Sequence, residues 1–506
     1  MKLKFYLAAA TLAAAVSCQQ KGETALEVNL TDIPENCRID VSRVEGRGGR
    51  TIYVDSSKTT ERKFTLECDS ITDNTSFTLF LQKITDKGQT LSYTGSIYVL
   101  DGYTTKVTGK GAYPSTWAID SKHPKQAFVN KMNDAVKDLK KQLDELRFSS
   151  DTITTRESRM KLYDMEDEIY DQIAEKQFAL METLPIDEYW LEELGNYSGS
   201  INYEGKDFKY YDKVEALYNK LPEDFKNTPT GKKLHHAFYG KAPAVGDHIN
   251  DGDLYDANGK VHHLAEYKGK WLLLDFSSYF CGPCRMFDAA VKYFYERGIG
   301  KDFEIITITA DTEGQFAQMV AEEKPLNPLY NDRNEGNGLF VLNKISATPT
   351  YYVVNPDGVI EDIFMGVDLG KIIKLMKEHG GFAAPKFKTE NGATIITSPA
   401  FSDINGSFLI DKVTIYKDSV ALDCTYPMYG GYKVVKETGL FANGKCISKM
   451  IKSNISTDNY TQVPFGEVGH CHLTFEPLPK GTKQYDFIEG DCENCFRVMG
   501  LKVVNQ

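Results

Sequence analysis

Trp271-Leu272-Leu273-Leu274-Asp275-Phe276-Ser277-Ser278-Tyr279-Phe280-Cys281-Gly282-Pro283-Cys284 is the stretch that decides the fold of this chain. The run Trp271 to Phe276 reads as a strand buried on both faces. Beyond it, Phe287, Val291, Phe294 and Tyr295 fall on one face of a helix. A dithiol at this strand-to-helix turn places Cys281 at a helix N-terminus. The dipole and the free N–H groups there favour a thiolate, which is the reacting species in disulfide exchange. A CxxC alone also fits half of a zinc site or a structural disulfide. The strand before it, the helix after it and the Gly-Pro inside it favour a redox pair.

Working outward, Asp275 to Arg285 resembles the active-site segment of thioredoxins. Thr348-Pro349-Thr350, ahead of Tyr351-Tyr352-Val353-Val354, is similar to their cis-proline strand, and Asn355-Pro356-Asp357-Gly358 to the turn after it. The stretch between Cys281 and Pro349 is longer than in a minimal thioredoxin. It has room for an extra helical segment, as in the membrane-linked TlpA/ResA-type reductases. The resemblance covers residues 243–382; Phe280 stands where thioredoxins carry Trp.

The resemblance implies an α/β thioredoxin fold and a role for each residue that matches. Cys281 is the nucleophile and Cys284 the resolving cysteine, the two forming a disulfide in the oxidised state. Asp275, six residues before Cys281, is the buried acid that takes the proton of Cys284. Pro349 is expected in cis, shaping the groove beside the dithiol. Gly-Pro is the pairing of thioredoxin, whose potential is about −270 mV against about −120 mV for a strong oxidant, so a reductase is expected. The expected partners are disulfide-containing client proteins. Outside the cytoplasm a separate membrane dithiol must donate the electrons. No cofactor or metal is called for.

The N-terminus bears on location. Lys2 and Lys4 precede an apolar core, Phe5 to Val16, too short to span as a mature helix. Ala15-Val16-Ser17-Cys18 resembles a lipobox, which makes residues 1–18 a lipoprotein signal peptide and Cys18 the lipidated residue. The alternative is a plain cleaved signal with an incidental cysteine. On the first reading the chain is anchored to a lipid bilayer in a bacterial cell envelope, periplasmic or on the cell surface. A net charge of −12 without basic clusters argues against nucleic acid as a partner.

The rest of the 506-residue chain has room for about three or four units. Short alternating runs such as Leu26 to Leu30, Ser76 to Leu81 and Ser96 to Leu100 predict an N-terminal β-sandwich over 24–113. It resembles the β-domain of unknown function that precedes thioredoxin modules in bacterial lipoproteins. Residues 121–237 read as helical. Phe128, Met132, Val136, Leu139, Leu143 and Leu146 form one stripe; Leu162, Met165, Ile169 and Ile173 form a second. The stretch 125–148 is the best candidate for a dimer contact. Residues 388–506 read as a C-terminal β-sandwich.

Ten cysteines in a secreted chain suggest oxidising surroundings. Cys37 and Cys68 are candidates to pair. Cys424, Cys446, Cys471, Cys492 and Cys495 are odd in number, so at least one is free or pairs elsewhere. His470-Cys471-His472 puts both imidazoles on one strand face. With Cys492-Glu493-Asn494-Cys495 it is a possible zinc or copper set. That second CxxC is equally readable as a disulfide or a redox pair. Two rival functions stand beside the reductase. A peroxiredoxin needs a proline where Leu274 sits, although Ser278 occupies its hydroxyl position. A non-enzymatic binding lipoprotein would use the thioredoxin unit as a scaffold, with no need of Cys281, Cys284, Asp275 and Pro349 together.

Overall fold

The computed structural model describes residues 23–503 apart from 46–47, 73–74, 86–87, 150–154 and 334–337. Cys18 and the predicted signal lie outside the described residues. The chain forms two compact units, Met1–Pro185 and Ile186–Gln506. This division falls inside the stretch 121–237, so its helices belong to two bodies.

In the first unit one sheet takes the order Arg62–Glu67, Ala25–Thr31, Thr104–Lys110, Ala118–Asp120. A second takes the order Gly48–Asp55, Cys37–Glu45, Thr75–Thr85, Gly88–Tyr93. Alternation sends Leu26, Val28 and Leu30 from one sheet, and Ile39, Val41, Phe77 and Leu79 from the other, into a common core. Cys37 and Cys68 are both buried there as free thiols and do not pair. Cys37 starts a strand of the second sheet, and Cys68 follows a strand of the first. The Sγ of Cys68 donates to the Leu66 carbonyl at 3.5 Å.

The stripe from Phe128 to Leu146 is broken, into helices Pro124–Asp134 and Lys137–Ser149. Val136, Leu139 and Leu143 pack with Ile169 and Ile173 of helix Arg156–Met181. Met165, expected on the same stripe, is exposed. Its helix has 26 residues against 13 in the partner, which cannot cover the full length.

The second unit opens with helices Glu188–Gly195, Ser198–Glu204, Tyr211–Asn219 and Pro229–Tyr239. The α/β segment follows. Its elements are β1 Leu254–Tyr255, β2 Val261–His262, β3 Trp271–Ser277, α1 Gly282–Arg297, β4 Phe303–Thr309, α2 Glu313–Glu323, β5 Leu329–Asn331, α3 Leu339–Leu342, β6 Thr350–Val354, β7 Ile360–Met365 and α4 Leu369–Glu378. The sheet order is β2-β1-β5-β4-β3-β6-β7. β3 pairs parallel with β4 and antiparallel with β6, and so sits centrally. That explains its unbroken apolar run. The segment between Cys281 and Pro349 holds an extra strand, β5, and the one-turn helix α3.

The C-terminal strands over 388–506 fall into two sheets joined through one strand. Ten of them, from Lys386–Glu390 to Arg497–Lys502, form one continuous hydrogen-bonded path. Strand Lys445–Ser453 joins its halves, pairing with Gly439–Ala442 on one side and Gly469–Phe475 on the other. Its register shifts at Met450/Lys452, a bulge that re-aims the strand.

The core of these strands, where Phe487 meets Phe408 and Phe475, is continuous with that of the α/β segment. Val413, Leu422, Phe475 and Phe487 form one hydrophobic cluster with Leu273 of β3, Phe287 and Phe294 of α1, and Ile372 and Met376 of α4. The boundary expected between 382 and 388 therefore crosses a shared interior. Alternation identifies an apolar face but not what covers it. Arg297, at the end of α1, pairs with Asp411 of the C-terminal sheet at 3.0 Å, its side chain only 4% exposed. The Tyr293 hydroxyl donates to the same carboxylate. Removing one partner of a buried pair leaves the other uncompensated, at about 3 kcal/mol. Arg297→Ala is expected to lower the unfolding free energy of the full chain by about that amount in a urea titration. An unchanged midpoint would show that the pair does not brace the CxxC helix.

Candidate active site

Four elements meet at the site: the end of β3, the start of α1, the start of β6 and the turn after β7. Cys281 is the N-cap of α1, with extended backbone (φ −83°, ψ 104°), and Pro283 fills the first turn, where no N–H is needed. The Cys281 Sγ accepts the N–H of Cys284 at 3.2 Å. Cys281 is half-buried, Gly282 and Pro283 are exposed, and Cys284 is fully buried. The two sulfurs form a disulfide of 2.06 Å.

The loop leading to Cys281 is clamped. Asp311 accepts the Ser278 hydroxyl and the Tyr279 N–H, both at 2.8 Å. Phe280 is 49% exposed beside the dithiol and meets Tyr279 edge to face at 4.8 Å. Thr348–Pro349 is a cis peptide. The Pro349 carbonyl accepts the N–H of Gly366 at 3.0 Å, which ties the proline loop to the turn before α4.

Asp275 is fully buried in β3. One carboxylate oxygen accepts the Thr307 hydroxyl at 3.3 Å, and the other has no hydrogen-bond partner. Burial pushes this carboxyl well above the usual range, and the neighbouring Asp288 charge adds to the rise. Arg285 and the Thr307 hydroxyl oppose it. Asp288 lies one turn beyond Cys284 and pairs with Arg285 at 2.8 Å. Arg285 also reaches Glu323 at 3.6 Å. The Tyr351 hydroxyl is buried without a partner, and burial and the two carboxyls raise its pKa.

A cavity of about 250 Å³, lined by Asp288, Thr307, Glu323 and Asn327, reaches this cluster. Asn327 donates to the Thr307 hydroxyl at 3.0 Å. The arrangement has a buried proton acceptor, hydrogen bonds from Asn327 to Thr307 and from Thr307 to Asp275, and a cavity lined by polar side chains.

The sequence reading missed Asp288, Arg285, Thr307 and Tyr351. One signal was available: Asp288 is four residues after Cys284, on the same helix face. Burial raises the Asp288 pKa to about 7 from 3.8, against the pull of Arg285. The native chain therefore holds a proton there that the unfolded chain has lost, and stability falls as pH rises from about 4 to about 7. Asp288→Asn is expected to flatten this fall. Urea midpoints at pH 5 and pH 8 measure it, and an unchanged difference between them would contradict the assignment.

The C-terminal constellation separates. His470 contacts the Thr425 hydroxyl at 2.9 Å, and His472 contacts Asp423 at 2.6 Å. Cys471 lies on the opposite face, buried beside its cross-strand neighbour Cys424. Cys492 and Cys495 form a disulfide. Among the described residues, no group of three or more His, Cys, Asp or Glu side chains is placed to hold a metal.

Residues 245–363 match the model of the AhpC/TSA family. This unit is thioredoxin-folded and TlpA/ResA-like. The chain is 30% identical over 127 residues to the thiol-disulfide oxidoreductase ResA of Oceanobacillus iheyensis, a match that covers 24% of this chain and 65% of the relative. It is 30% identical over 112 residues to nucleoredoxin of Bos taurus, covering 22% and 26%. It thus spans just under two thirds of the first relative and about a quarter of the second. Among solved structures, the thioredoxin domain of a thiol-disulfide oxidoreductase from Bacteroides vulgatus aligns with 27% of the chain and 99% of its own length. That alignment has 22% identity and a TM-score of 0.25. The family match leaves out the first unit and the C-terminal strands.

Proposed function

We propose that this chain is an extracytoplasmic thiol–disulfide oxidoreductase that reduces disulfides of client proteins through Cys281 and Cys284. The observation that carries the reading is the asymmetry of the pair. Cys281 is accessible and caps α1, while Cys284 is sealed one turn inside, close to a buried carboxyl cluster.

Each step has a residue to perform it. The Cys281 thiolate, favoured by the helix N-terminus, attacks a client disulfide. The client's other sulfur leaves and a mixed disulfide forms. Cys284 then gives up its proton and attacks Cys281, which frees the reduced client. Asp275 takes that proton and passes it through Thr307 toward the Asp288 cavity. The exposed Phe280 and the cis Pro349 border the groove where the client backbone lies.

A separate membrane dithiol recharges the pair. Lys2, Lys4, the apolar run Phe5 to Val16 and Cys18 support a lipid-anchored location in the cell envelope. No helix among the described residues is long and apolar enough to cross a membrane.

Peroxide reduction is disfavoured because Leu274 occupies the proline position and the Ser278 hydroxyl is held by Asp311. The test is reduction of insulin by the full chain with dithiothreitol as electron source, beside hydrogen peroxide consumption. Insulin reduction that depends on Cys281 is expected. Peroxide turnover alone would support the peroxiredoxin reading, and turnover of neither substrate would support a scaffold.

A further inference from the structure

The chain carries a second CxxC that the first does not explain. Cys492 and Cys495 are bonded to each other in the turn between strands Gln484–Ile488 and Arg497–Lys502. Their asymmetry is that of the first pair, with Cys492 exposed and Cys495 4% exposed. A disulfide three residues apart closes a very short loop, and loop-closure stabilisation is least for short loops. The bond therefore has little structural value, while its accessible sulfur leaves it open to attack.

The turn is built to hold the pair in place. The Asn405 side-chain amide donates to the Glu493 carbonyl at 3.0 Å and to the Cys495 carbonyl at 3.1 Å. Arg497 donates to the Cys492 carbonyl at 3.2 Å. A Cβ at Gly490 would stand 3.2 Å from the Cys495 Sγ, so the glycine lets the sulfur lie against the backbone. Glu489, next to it, is a buried carboxyl that accepts the Phe496 N–H at 2.8 Å.

Its place in the fold links it to the first pair. Asn405 and Gly406 form one wall of a cleft of about 780 Å³, and Val367, Asp368 and Gly370 form the other. The second wall continues the turn whose Gly366 is bonded to the cis Pro349. Asn405, which holds the second turn, and the segment that follows the Pro349-bonded Gly366 thus line one cleft beside α4.

We propose that Cys492–Cys495 is a second redox centre, which accepts an electron pair from the reduced Cys281/Cys284 dithiol. The inference rests on the redox reading of that dithiol. The Cys281 thiolate attacks the Cys492 Sγ. A Cys281–Cys492 bond forms, the Cys492–Cys495 bond breaks, and Cys495 leaves as a thiolate and takes a proton. The Cys284 thiolate then attacks Cys281, restoring the first disulfide and releasing Cys492, which takes the second proton. Two electrons and two protons move between pairs with no further reactant, and the chain holds that electron pair in store.

Full-length Cys284→Ser tests this, because it halts the exchange after the first step. With Cys281 free and Cys492–Cys495 oxidised, acid quenching, N-ethylmaleimide labelling and peptide mass spectrometry should find a Cys281–Cys492 linked peptide and a labelled Cys495. A labelled Cys281 beside an intact Cys492–Cys495 bond would overturn the proposal. The wild-type chain, equilibrated in glutathione buffers, gives the second measurement. Both pairs should titrate reversibly. If Cys281/Cys284 titrates and Cys492/Cys495 does not, the second centre fails while the reductase reading stands. If neither titrates, the reductase reading fails with it.

Discussion

Cys281→Ser is expected to lower kcat/KM for disulfide reduction by about 10³-fold or more, to the background set by binding alone. A serine hydroxyl in the same N-cap would accept the Cys284 N–H as the sulfur does, so fold and client binding should survive. It would not ionise near neutral pH, and no bond to sulfur would form. Cys284→Ser should behave differently. The first attack is preserved and the release step is lost, so a client joined to Cys281 should accumulate to near one equivalent. Stopped assays with insulin measure the first effect, and non-reducing gels the second. Turnover by Cys281→Ser within tenfold of wild type would remove Cys281 from the mechanism.

Asp275→Asn should separate catalysis from stability. The carboxyl sits in a central strand with one hydrogen bond and one unpaired oxygen, and burial makes its ionised form costly. Asparagine removes the charge. Its raised folded-state pKa means that the native chain is penalised as pH rises through that pKa. The variant should therefore be the more stable form at pH 8, by about 1–3 kcal/mol, with little difference at pH 4. The release step should slow on the order of 10²-fold, as expected when a positioned base is lost. Urea unfolding at the two pH values and single-turnover release of client check both halves. Equal release rates would make Asp275 a structural residue.

The sequence made parts of this legible for identifiable reasons. β3 and α1 follow from a continuous apolar run and a helical stripe, each a local pattern. Cys281 and Cys284 are marked by a residue type whose spacing carries chemistry, and Pro349 by the resemblance of its strand to that of thioredoxins. Asp275 is legible through the thioredoxin resemblance, six residues before Cys281, and its apolar neighbours Leu274 and Phe276 agree with a buried acid. Asp288 is not, because a charged residue beside Arg285 looks like an ordinary solvent face, and only the packing of Thr307 and Glu323 around it shows otherwise. The shared core of α1, α4 and the C-terminal strands was equally hidden. Phe475 and Phe487 announce an inward face, and nothing local says that Phe287 and Met376 complete it. Cys37 and Cys68 mislead in the opposite sense, since two thiols in one core need not meet.

The shared core also decides how the central claim is tested. Residues 243–382 cut from the chain would expose the face of α1 and α4 that Val413 and Phe475 cover, so the full chain is the sample to use. The measurement is the reduction potential of Cys281–Cys284 in glutathione buffers, with Cys492→Ser and Cys495→Ser leaving a single reporting pair. A value near that of thioredoxin, about −270 mV, is predicted, and one near about −120 mV would contradict a reductase and make the chain an oxidant of its clients.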